Sequence, residues 1–181
     1  MRRSFSTSLR VVAALFTVLL TGSCDRMDDD RVPPAPVHLA FRSVADWHTW
    51  GLGGATDSRP FILTDTERIP SGYPFTALDR TGFGGLLLVE DVNGNVVVYD
   101  LACPVECKAT VRIEVDKEAF IAECPRCHST YDIFSLYGHP LSGEAAEKGW
   151  GLRRYHATQG VSPYMVITNR IPLLTLNPYF S

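Results

Sequence analysis

The sequence predicts an all-β domain, an antiparallel sandwich or barrel of short strands. Three observations predict it. Valine, isoleucine, tyrosine and phenylalanine recur in short runs punctuated by glycine and proline. Asn93 and Gly94 stand between two such runs, and Asn-Gly is the dipeptide of a hairpin turn. Val111, Ile113 and Val115 alternate with polar residues, the period of a half-buried strand.

Taken in chain order, residues 37–41 read as a strand, 44–50 as a helical turn and 62–65 as a second strand. Residues 85–90 form a strongly apolar strand ending in charge, 91–95 turn, and 96–101 return as a β-branched strand that runs into Cys103. Residues 110–115 are the alternating strand, 116–118 turn, and 119–123 lead into Cys124. A short strand at 131–134, a Gly/Pro loop at 136–143 and a hairpin of 152–158 with 164–169 complete the domain. Any helices are short. With a net charge of −3 and no basic run, nothing calls for nucleic acid.

The amino end has the parts of an export signal. Arg2, Arg3 and Arg10 make a basic start, residues 11–20 are apolar, and Thr21, Gly22 and Ser23 are small. Cys24 follows at once. This resembles a bacterial lipoprotein signal at 1–23, which implies lipidation of Cys24, a membrane partner through the lipid anchor, and a location in the cell envelope outside the cytoplasm. Leu20 stands four places before the cysteine, where that pattern has it three before. Arg2 and Arg3 also resemble a twin-arginine signal, which exports proteins already folded around a cofactor. Residues 24–36, with acids at 28–30 and prolines at 33, 34 and 36, read as a flexible, solvated tether. Residues 37–181 are enough for one core and not two.

The remaining cysteines carry the chemistry. Cys103 and Cys107 lie in C-P-V-E-C, Cys124 and Cys127 in C-P-R-C, with sixteen residues between the pairs. Each pair follows a strand and sits at a hairpin tip. Two short-spaced pairs brought together by a hairpin suit one all-thiolate metal site, and thiolates bind zinc, iron and iron–sulfur clusters. Outside the cytoplasm disulfides are the alternative use of the same four residues. No nucleophile elbow, zinc-protease helix motif or phosphate loop occurs, so an electron-transfer or binding module is expected before an enzyme.

Residues 99–145 resemble a Rieske iron–sulfur domain. The second box, C-P-R-C-H-S-T-Y-D, matches the family's second ligand loop, with Cys124 at the ligand cysteine and Cys127 in the ligand-histidine place. His128 takes the glycine place and is expected beside the ligands, not among them. Cys103 matches the first ligand cysteine, Val105 stands at the first histidine position, and Cys107 lies two further on. Gly138 to Ala145, G-H-P-L-S-G-E-A, follows the family's third loop with Glu144 replacing proline. The resemblance implies a Rieske-like fold, with the hydroxyls of Ser129 and Tyr131 hydrogen-bonding metal-centre sulfurs. It implies a [2Fe–2S] cluster on Cys103, Cys107, Cys124 and Cys127, an electron-transfer role and an unidentified redox or envelope partner. Four thiolates in place of two cysteines and two histidines would put such a cluster nearer about −400 mV. Zinc on the same four sulfurs, closing a non-redox binding domain, is the other metal reading.

Overall fold

The computed structural model describes residues 27–169. The leader, Cys24 and the last residues of the expected domain lie outside them. No helix of the described residues is long and apolar enough to cross a membrane.

Among the described residues the domain is mostly β, with two antiparallel sheets and two short helices. The strands are β1 (Val37–Phe41), β2 (Ser58–Leu63), β3 (Arg68–Ile69), β4 (Arg80–Thr81), β5 (Leu86–Glu90) and β6 (Val96–Asp100). They continue with β7 (Glu114–Asp116), β8 (Ile121–Glu123), β9 (Thr130–Asp132), β10 (His139–Ser142), β11 (Arg154–Gln159) and β12 (Met165–Thr168). The helices are α1 (Val44–Trp50) and α2 (Gly143–Lys148).

The larger sheet has the order β3-β2-β5-β6-β11-β12-β1-β4. It curls into a half-barrel that brings β2 beside β4, where the Leu63 amide of β2 donates to Thr81 Oγ1 of β4 at 3.1 Å. The smaller sheet, β10-β9-β8-β7, carries the second cysteine loop between β8 and β9.

Strand β5 shows why 86–89 is apolar without alternation. Leu86 and Leu88 face the inside of the curled sheet with Phe41, Phe61, Val98 and Ile167. Leu87 and Val89 face the other way, into a second core with Tyr99, Tyr131 and Ile133. A strand covered on both faces needs apolar residues at every position. Tyr99 ties the two sheets together, its hydroxyl donating to the Ile133 carbonyl at 3.0 Å. The β5–β6 turn is held by Asp91, whose carboxylate accepts from the amides of Asn93 and Asn95 and from the Asn95 side chain. Helix α1 starts at Ser43, whose hydroxyl accepts the Asp46 amide at 3.1 Å, and buries Trp47 edge-on against Phe41.

Three expectations need correcting. Residues 136–143, read as a loop, contain β10 and the start of α2. The alternating stretch 110–115 is not one strand: Arg112 bridges Ala102, and only Glu114–Asp116 joins the smaller sheet. Residues 28–32 of the expected tether are docked on the domain. The Asp28 amide donates to Gly149 O at 2.8 Å, and the Gly151 amide to Asp28 O at 2.9 Å. Arg153 holds the carbonyls of Asp30 and Val32, Arg31 lies over the Trp150 ring at 4.1 Å, and Val32 is fully buried. A segment gripped by backbone bonds, a cation–π contact and a buried valine is a strap, not a solvated linker.

Candidate metal centre

The first cysteine loop leaves β6 through Asp100. This carboxylate is completely buried and accepts four hydrogen bonds: Tyr155 Oη at 2.7 Å, and the amides of Phe83, Gly84 and Ala102 at 2.8–2.9 Å. Burial raises its carboxyl above the usual carboxylate range, against the pull of those donors. Arg112 adds a second tie, donating through Nε to Gly84 O at 2.6 Å and through Nη1 to Glu67. The Cys103 amide then donates to Val111 O. The loop therefore springs from a rigid base.

The second loop leaves β8 and returns to β9. The Cys124 amide donates to Ser129 O at 3.0 Å. Ser129 is buried, and its hydroxyl accepts the Ala145 amide of α2 at 3.2 Å. Gly143 makes that contact possible. Its φ is +74°, and a Cβ there would stand 2.7 Å from Ser129 Oγ.

The two loops share a backbone form. In each, the fifth residue donates its amide to the carbonyl of the first cysteine: Cys107 to Cys103 at 2.9 Å, and His128 to Cys124 at 3.0 Å. In each, that fifth residue has positive φ, 49° at Cys107 and 56° at His128. A proline follows the first cysteine in both and suits the turn, since the missing amide needs no partner.

The sulfurs of Cys103, Cys124 and Cys127 all lie within 4.8 Å of one another. Cys103 Sγ and Cys127 Sγ are 3.6 Å apart, and Tyr131 Oη is 3.7 Å from Cys103 Sγ. All four described cysteines are free thiols. Three close sulfurs on rigid loops can hold a metal ion. Cys107 stands apart from that group. Its thiol lies 3.0 Å from Pro104 O and 3.5 Å from Arg31 O of the strap.

Ser129 and Tyr131 both border the sulfurs. Burial acts to raise the Cys127 thiol, but hydrogen bonds from the Ser129 side chain and amide and from the thiols of Cys103 and Cys124 outweigh it, and the thiol is lowered. Burial pushes the Cys103 thiol up to about 12, even though the amides of Glu106 and Val105 and the Tyr131 hydroxyl oppose it. Burial likewise raises the Tyr131 phenol, reinforced by the neighbouring sulfurs. His128 lies on the second loop, outside the sulfur group. Its ring points outward, with Nδ1 2.9 Å from Glu123 Oε1 and the side chain 74% exposed.

Sequence reasoning missed Asp100 and Arg112, which brace the first loop. The signal was weak: an acid at a strand end before C-P, and an arginine where the alternating pattern has a polar position. It also missed the strap, because acids and prolines in series look the same whether solvated or gripped by arginines far along the chain, a pairing such as Val32 with Arg153, 121 residues apart.

No protein-family model matches this chain, and no curated protein matches it.

Proposed function

We propose that this chain is a metal-binding module of the bacterial cell envelope, tethered by a lipid on Cys24, in which Cys103, Cys124 and Cys127 hold a single metal ion. Zinc is the ion the donor set suits best. One observation carries the reading. In a tetrahedral zinc–thiolate site with bonds near 2.3 Å, neighbouring sulfurs stand about 3.8 Å apart. Cys103 and Cys127 are 3.6 Å apart, and Cys124 completes the group within 4.8 Å. Two thiolates on one iron of a [2Fe–2S] cluster would stand at the same spacing, but thiolates on its two irons are separated by the sulfide bridge, so a third sulfur within 4.8 Å of the other two favours a single ion. Zinc has no redox chemistry, so the ion would lock the two loops together and give the domain a rigid tip.

A second reading keeps the Rieske-like electron-transfer module with an iron–sulfur cluster. The hydroxyls of Ser129 and Tyr131 favour it, because donors at the sulfurs tune a redox centre. The same donors also serve a zinc thiolate, so they do not separate the two readings, and the close third sulfur is what favours the single ion. Purification with and without air, followed by metal analysis and visible spectroscopy, tests both. The zinc reading expects a colourless protein with one equivalent of zinc that Cys124→Ser loses. A brown protein with two irons per chain would overturn it in favour of the cluster. A protein that takes up neither metal would refute both.

A further inference from the structure

We infer that the fourth ligand of this metal is the carboxylate of Glu106, and that Cys107 is not a ligand. This rests on the metal reading of the same site and extends it. The two loops correspond residue by residue over five positions: Cys103 with Cys124, Pro104 with Pro125, Val105 with Arg126, Glu106 with Cys127, and Cys107 with His128. The correspondence is structural. It follows from the matched hydrogen bonds onto Cys103 O and Cys124 O and from the matched positive φ at Cys107 and His128.

Direction of side chains then follows from the backbone. In the second loop the residue three after the first cysteine, Cys127, turns its sulfur into the group, and the residue four after, His128, points out to Glu123. In the first loop the inward position belongs to Glu106 and the outward one to Cys107, whose thiol lies against Pro104 O and Arg31 O. Glu106 is half-buried and extends toward the facing loop. Its Oε2 lies 3.7 Å from Arg126 Nε, on the second loop, and 3.6 Å from Lys108 Nζ. Both pairings are long and both cations are more than half exposed, so neither holds the carboxylate firmly. The Glu106 carboxylate is not in the group of ligand atoms that lie within 4.8 Å of one another, so ligation requires a side-chain rotation that exchanges these cations for the metal. Zinc accepts carboxylate oxygen readily, and three thiolates with one carboxylate carry the same charge as four thiolates. Arg126 and Lys108 remain close by to offset it. A mixed sulfur–oxygen set also fits zinc or ferrous iron better than a soft ion such as Cu(I).

The test is X-ray absorption at the metal edge on the full chain purified with its metal, with metal content and a chelator-competition titration on the variants. Wild type is expected to show three sulfurs and one oxygen. Cys107→Ser is expected to keep the same ligand set and full metal content. Glu106→Gln is expected to bind at least about tenfold more weakly, the loss seen even when an outer partner of a ligand is removed. Four sulfurs in wild type, falling to three in Cys107→Ser, would overturn the assignment while leaving the metal reading intact. So would a Glu106→Gln protein that binds as tightly as wild type. A wild-type chain without bound metal would overturn the metal reading itself. Circular dichroism of each variant separates ligand loss from unfolding, and Cys107→Ser carries the decision if Glu106→Gln does not fold.

Discussion

Replacing Asp100 by alanine should cost the domain a large share of its stability. Four donors converge on this fully buried carboxylate: the phenol of Tyr155 and the amides of Phe83, Gly84 and Ala102. Alanine leaves all four without an acceptor in a dry interior. At the low end of the cost of an unsatisfied buried donor, about 1 kcal/mol each, the loss is about 4 kcal/mol. A domain of this kind has roughly 5–15 kcal/mol in total. Asp100→Asn is the graded control. One amide oxygen keeps the Gly84 and Ala102 amides, while the new NH2 faces the Phe83 amide donor to donor, and the Tyr155 hydroxyl can turn to accept. That variant should lose about 2 kcal/mol. Urea unfolding measures both, as a fall in midpoint at constant slope. Because Ala102 precedes Cys103, metal affinity should fall along with stability. An Asp100→Ala protein within about 0.5 kcal/mol of wild type, the range of an ordinary surface change, would refute this account of how the first loop is anchored.

Asp91 gives a pH prediction. Burial acts to raise its carboxyl, but hydrogen bonds from Asn95 and Asn93 outweigh it and hold the pKa below the ordinary value of 3.8. The folded state therefore favours the ionised form. Its stabilisation is complete above the ordinary value and is lost as pH falls through the depressed one. Asp91→Asn should cost about 1–2 kcal/mol at neutral pH and much less near pH 2, read as a narrowing gap between urea midpoints. A gap that stays constant with pH would contradict it. Tyr99→Phe keeps the ring but strands the Ile133 carbonyl between the two sheets, for an expected loss of about 1–2 kcal/mol in the same assay. Gly143→Ala should cost about 1–2 kcal/mol for a side chain at φ +74° and push α2 off Ser129. Its metal affinity should fall about tenfold, since Ser129 supports the Cys127 sulfur. Unchanged affinity on chelator titration would show that α2 does not brace the site.

The hairpin of β5 and β6 was readable from the chain because turn chemistry and strand pattern agree there. The apolar run, Asn-Gly and the β-branched return are all local signals. Strand β10 was not readable. Gly138, Pro140 and Gly143 all signal loop, yet His139–Ser142 pairs with β9 at the edge of the smaller sheet, with a register shift between Pro140 and Ser142. Proline is tolerated there because an edge strand needs only one partner. The segment 110–116 kept its alternating pattern but is shared between two sheets, which no local period can express. Strap residues 28–32 depend on Arg153, Arg154 and Trp150, far along the chain.

The order of residues was enough to mark an all-β domain and to mark the two C-P turns as a candidate metal site, because thiol content and turn propensity are written locally. Which sulfurs meet was decided only in three dimensions. A positive φ at the fifth residue of each turn swings that side chain outward, so Cys107 leaves the group that Cys103, Cys124 and Cys127 form. Spacing counts residues along the chain, while ligation depends on the direction in which the backbone aims each one.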